Sequence, residues 1–156
     1  AAYFMDKKIY TALIRELLEE LNKLPAETFD GIKVVITGIL AETDALLDAF
    51  VQNHIAFVAD DLAQESRQFR TSVRDKGTAL EKLAYRMADH EGCSLLYDEA
   101  KLHGKMLIDL VRENKADGVV VSMMKFCNPE EFDYPIYKKE LEAAGIPVCI
   151  WKSNKK

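Results

Sequence analysis

No stretch of about 18 apolar residues occurs in the 156-residue chain, so nothing in it reads as a membrane span. The opening residues, Ala1-Ala2-Tyr3-Phe4-Met5-Asp6, lack the basic and apolar regions of a secretory signal. A cytoplasmic protein is therefore expected. Cysteine is scarce: Cys93, Cys127 and Cys149 are odd in number and far apart, which suits neither a disulfide scaffold nor a Cys-x-x-Cys metal knuckle. Reduced thiols are the default reading. His54, His90 and His103 form no His-x-x-x-His or His-Cys pairing, so a zinc site is not expected. The sequence Thr37-Gly38-Ile39-Leu40-Ala41-Glu42 is neither Gly-x-Gly-x-x-Gly nor a Walker sequence, and supports no nucleotide site. The net charge of −5 is spread along the chain without a basic patch interleaved with aromatics, which argues against nucleic acid as a partner. There is no internal repeat, low-complexity stretch or linker. With 49% hydrophobic residues, the chain has enough apolar material for one compact domain and no independent second core.

Hydrophobic periodicity supplies the organisation. Over residues 7–24, Ile9, Leu13, Ile14, Leu17, Leu18 and Leu21 recur at helical spacing until Pro25 stops the pattern. Residues 33–40 form an apolar run typical of a central strand, and 43–50 can cap and form the next helix. A second strand is expected at 54–59 with Asp60-Asp61 at its carboxyl end, followed by helices at 78–89 and 98–114. A third strand at 118–123, a helix at 134–144 and a fourth strand at 148–151 complete the pattern. Strands alternating with helices imply right-handed βαβ units. The expected fold is α/β: a three-layer, flavodoxin- or Rossmann-like domain with a four-stranded parallel sheet in the order 2-1-3-4 and an extra N-terminal helix. The sheet domain would span residues 31–152 within a single domain of 1–156. The absent initiator Met suggests a piece of a longer subunit. The stripe of Ile9, Leu13, Leu17 and Leu21 predicts self-association.

Cys127 draws attention because it leaves a buried strand at the carboxyl end, where ligands and cofactors sit in open α/β sheets. Cys149, inside Pro147-Val148-Cys149-Ile150-Trp151, reads as a small buried hydrophobe. Cys93, in the turn-like Glu91-Gly92-Cys93-Ser94, reads as a loop thiol without function. Asp60-Asp61 could act as a general acid or base through mutual repulsion, but a cap by one carboxylate beside a solvated second is the preferred reading. The string from Ser66 to Arg74, with Arg67, Arg70 and Arg74, could hold coenzyme A phosphates or a partner's acidic surface. A solvated face is preferred there too.

The run Ala116-Asp117-Gly118-Val119-Val120-Val121-Ser122-Met123-Met124-Lys125-Phe126-Cys127-Asn128-Pro129, then Phe132-Asp133-Tyr134-Pro135 and Ala143-Ala144-Gly145-Ile146-Pro147-Val148, resembles the C-terminal domain of 2-hydroxyacyl-CoA dehydratase subunits. This is the family of the 2-hydroxyglutaryl-CoA dehydratase D-component, related to benzoyl-CoA reductases. Weaker echoes at Ile36-Thr37-Gly38 and Val58-Ala59-Asp60-Asp61-Leu62 extend the resemblance over residues 31–150. It implies a 4Fe-4S cluster held by three cysteines, of which Cys127 is one, with Lys125 and the backbone amides of Asn128 and Glu130 tuning it. It further implies a homologous partner subunit, an ATP-dependent iron-sulfur activator, and an acyl-CoA substrate dehydrated to an enoyl-CoA through a ketyl radical. Neither Cys93 nor Cys149 matches the other two ligands. The isolated span is accordingly expected to lack the cluster and to be inactive. A benzoyl-CoA reductase subunit, or a non-catalytic α/β binding or assembly module, are the alternative readings.

Overall fold

A computed structural model describes residues 3–25, 28–41, 44–96 and 98–153. The chain forms two units, residues 1–30 and 31–156. In the first, helix α1 (Lys7–Leu21) starts where the Asp6 side chain accepts the backbone N–H groups of Lys8 and Ile9, at 2.9 and 3.3 Å. Ile9, Leu13, Leu17 and Leu21 are exposed.

The second unit contains β1 (Ile32–Gly38), α2 (Asp44–Gln52), β2 (Ile55–Leu62), a 3-10 turn at Ser66–Gln68, α3 (Ala79–Ala88), α4 (His103–Glu113), β3 (Gly118–Met124), α5 (Asn128–Ala143) and β4 (Val148–Ser153). The four strands form a parallel sheet in the order β2-β1-β3-β4, the expected topology. Because both faces of the central strands are covered, β1 and β3 can be continuously apolar. On one face Val35, Val119, Val121 and Met123 pack with Leu107 and Val111 of α4 and Tyr137 and Leu141 of α5. On the other, Val34, Ile36 and Val120 pack with Leu46 of α2. At the end of β1, Gly38 has φ +133°, and a Cβ there would lie 2.1 Å from the Ser122 carbonyl oxygen, so only glycine lets β1 and β3 approach as they do. No helix of the described residues is long and apolar enough to cross a membrane.

Several boundaries differ from the sequence reading. The last helix begins at Asn128 rather than 134, because Pro129 occupies the first turn, where a missing N–H costs nothing, and Pro135 is carried inside the helix. The helix expected from 98 begins at His103: Asp98 instead closes a turn, accepting N–H groups of Ala100 and Leu102, and Lys101 takes a positive φ of 49°. β2 runs on to Leu62, drawing both aspartates into the strand. The Thr43 cap lies outside the described residues.

Cys149 is also corrected. It is exposed, not buried, since α2 covers only part of its face and leaves an apolar groove bordered by Phe50, Val120, Cys149 and Trp151. Cys127 is half-buried. Native-state thiol labelling should therefore modify Cys149 before Cys127. The reverse order would contradict this packing.

Candidate functional site at the carboxyl edge of the sheet

Parallel register brings Thr37 of β1 beside Asp61 of β2 and Val121 of β3, so the chemistry-bearing residues gather at one end of the sheet. Asp60 and Asp61 point in opposite directions, as successive strand residues do. Asp60 accepts the N–H groups of Leu62 and Ser66 at 3.1 and 3.0 Å, the expected cap. Asp61 is not solvated: it is fully buried, and four residues converge on it. Arg67 donates Nε to Oδ1 at 3.2 Å and Nη2 to Oδ2 at 2.9 Å, and Arg70 donates Nη1 to Oδ1 at 2.6 Å. Thr37 Oγ1 donates to Oδ2 at 2.8 Å, and His103 Nε2 lies 3.1 Å from the same oxygen.

Burial would push the Asp61 carboxyl up. The hydrogen bond from His103 and the charge and hydrogen bonds of Arg67 outweigh it, holding the group well below its ordinary value of 3.8. Arg67 answers in kind, since burial pulls its pKa down but Asp61 more than restores it. The basic string is thus not one solvated face. Arg67 is buried, Arg70 bridges Asp61 and the Glu91 carbonyl, and Arg74 pairs with Asp89 on the surface at 2.6 Å.

The loop after β3 is equally determined. Cys127 donates its N–H to the Met124 carbonyl at 3.2 Å, and its own carbonyl accepts from Glu131 at 3.0 Å, making Cys127 the N-cap residue of α5. Phe126 supplies the left-handed step at φ 66° with its ring almost wholly exposed. Lys125 and Asn128 are exposed beside it. Glu130 turns inward instead: it is buried, and its Oε2 has no partner among the described residues. Burial raises the Glu130 pKa above 4.5, against the pull of Arg67 and His103. Glu130 therefore ties the Cys127 loop to the Asp61 network electrostatically.

Because the native state favours protonated Glu130, its contribution is complete below pH 4.5 and is lost as pH rises through the elevated native pKa. Glu130→Gln keeps the size of the side chain but removes the charge. Its urea midpoint should exceed that of the parent chain at pH 8, and the difference should close as pH falls toward 4.5. A constant difference across that range would contradict the assignment.

Of the residues singled out from sequence, Lys125, Cys127, Asn128 and Glu130 lie on one loop and helix start. Cys93 lines a separate small cleft with His103 and Tyr137, and Cys149 lies on the edge strand. Among the described residues, no group of three or more His, Cys, Asp or Glu could hold a metal ion. The sequence reading missed the Asp61–Arg67–Arg70–His103–Thr37 network. Its one local trace is a carboxylate ending an apolar strand, with arginines six and nine residues later.

A sequence profile described as 2-hydroxyglutaryl-CoA dehydratase, D-component, matches residues 1–154. The chain is 45% identical over 154 residues to the (R)-phenyllactyl-CoA dehydratase beta subunit of Clostridium sporogenes, covering 99% of this chain and 41% of that protein. It is 48% identical over 147 residues to the beta subunit of lactoyl-CoA dehydratase from Anaerotignum propionicum, covering 94% and 39%. A more distant relative, one of the benzoyl-CoA reductase subunits of Thauera aromatica, is 25% identical over 148 residues, covering 92% and 38%. The chain thus spans about two fifths of the length of these relatives. It belongs to the 2-hydroxyglutaryl-CoA dehydratase D-component family.

Proposed function

We propose that this span is the C-terminal domain of an iron-sulfur 2-hydroxyacyl-CoA dehydratase subunit, and that Cys127 supplies one thiolate to its 4Fe-4S cluster. The supporting observation is the placement of Cys127: half-buried, at the carboxyl edge of the sheet, on a loop fixed by its neighbours' backbone bonds. Soft thiolate suits iron, and a stiff, partly open loop suits a ligand that must meet a preformed group. Since no group of three or more His, Cys, Asp or Glu among the described residues could hold a metal ion, Cys127 would be one ligand of a shared set. The remaining ligands would come from elsewhere in the subunit. Such a cluster supplies single electrons when bound.

Around it, Lys125 and the amides of Asn128 and Glu130 would orient and tune. The proposed reaction is dehydration of an (R)-2-hydroxyacyl-CoA to an enoyl-CoA in the cytoplasm of an anaerobe. A homologous subunit and an ATP-dependent iron-sulfur activator would be its partners. The dehydratase reading is favoured over a benzoyl-CoA reductase by identities of 45% and 48% against 25%. It is tested by assaying the complete subunit with its partner and activator on 2-hydroxyacyl-CoA and on benzoyl-CoA. Turnover of the first alone is expected, and turnover of the second alone would overturn it.

A further inference from the structure

Among the described residues, positive φ values occur at four glycines and at His54, Lys101, Lys115 and Phe126. Phe126 is the one apolar residue of that set. At φ 66° it holds a left-handed conformation that a bulky side chain avoids, and glycine would make the same step without the clash. The domain returns nothing for this cost, because the ring is 92% exposed. Strain of this kind persists where a site makes use of it.

The next residue is Cys127, half-buried at the start of α5. Phe132, in the second turn of α5, is 79% exposed and stands on the face it shares with Asn128. Two large rings therefore flank the thiol in sequence and face water. A turn alone would explain a glycine here, so the ring itself needs a task outside this domain.

We propose that Phe126 is a positioning residue for the cluster: its backbone makes the left-handed step that leads into Cys127, and its ring shields the Cys127 thiolate from water once the cluster is bound. The inference rests on the reading of Cys127 as a ligand. The apolar shell around a metal site sets water access and local dielectric, and exposure is one of the factors that fix an iron-sulfur potential. Oxidants dissolved in water reach the iron through the same opening. The strain is thus borne by the free domain, and its return comes in the complete subunit.

Four proteins test this: the parent, Phe126→Gly, Phe126→Asn and Phe126→Tyr. Glycine and asparagine keep the left-handed step without the ring, and tyrosine keeps the ring. In the 156-residue chain, Phe126→Gly should raise the urea midpoint, since the clash relieved exceeds what glycine adds to the freedom of the unfolded chain. A lower midpoint would show that the ring is held by this domain and would overturn the proposal. In the complete subunit, purified anaerobically, all four proteins should carry the same iron and acid-labile sulfide. On exposure to air, the cluster absorbance of the glycine and asparagine variants should bleach faster by about 10-fold or more, the scale on which losing an outer-shell partner acts, while tyrosine bleaches as the parent does. Fast bleaching in glycine but not asparagine would assign the effect to flexibility and overturn the proposal. Equal bleaching of four fully loaded proteins would overturn it and leave the ligand reading standing. A parent subunit without iron would contradict the ligand reading, and the proposal would fall with it.

Discussion

Replacing Asp61 by Asn is expected to cost about 3–5 kcal/mol of folding stability, the range for removing one partner of a buried ion pair. The reason is what remains behind. Arg67 is 5% exposed and would keep its charge without the carboxylate that compensates it, while Thr37 and His103 would lose their shared oxygen acceptor. Against a total stability of about 5–15 kcal/mol for a domain, that is a large fraction. A fall in the urea midpoint at unchanged slope is the expected signature. Asp60→Asn is the matched control: its oxygen caps backbone N–H groups that an amide oxygen also satisfies, so a change below about 1 kcal/mol is expected.

The pH dependence has a definite sign. Since the native Asp61 pKa is depressed, its contribution is fully present above the ordinary value of 3.8 and is withdrawn as pH falls below it. The parent chain should therefore lose stability in that acid window, whereas Asp61→Asn should lose less there. Equal acid sensitivity of the two proteins would show that Asp61 is not the group responsible.

Much of the fold was legible because its signals are local. Apolar runs such as Val34–Ile36 and Val119–Val121 have the length and composition of buried parallel strands, and the helices between them leave few topologies open. The Cys127 loop was legible for the same reason, since strand, cysteine and proline follow one another directly. Pro129 and Pro135 obscured the start of α5, because a proline reads as a break until its place in the first turn is known. The Asp61 network was not legible, as its bonds to Thr37 and His103 join residues 24 and 42 apart and exist only through strand register and the arrival of α4. Nor was the exposure of Cys149, which depends on how far α2 reaches across one face of the sheet. Burial of Arg67 likewise follows from the fold of the segment after β2 and not from the composition of the basic string.

Cys127→Ser in the complete subunit should abolish cluster retention and dehydration together. On the proposed role of Cys127, serine would replace a soft sulfur ligand by a harder oxygen, and losing a direct ligand should exceed the roughly 10–100-fold penalty typical of losing an outer-shell partner. Cys149→Val should change neither, because Cys149 lies on the edge strand away from the carboxyl-edge loop. The side chain of Cys127 has no other evident task in the fold: as the N-cap residue of α5 it makes no side-chain capping bond. Its loss should therefore leave the domain folded, so that an effect on iron is not an effect on folding. The most direct measurement is iron and acid-labile sulfide per polypeptide after anaerobic purification of the full-length parent, Cys127→Ser and Cys93→Ser proteins. The account predicts a full complement in the parent and in Cys93→Ser, with almost none in Cys127→Ser. Full iron and sulfide in Cys127→Ser, with loss of both in Cys93→Ser, would contradict it and move the ligand to the His103 cleft.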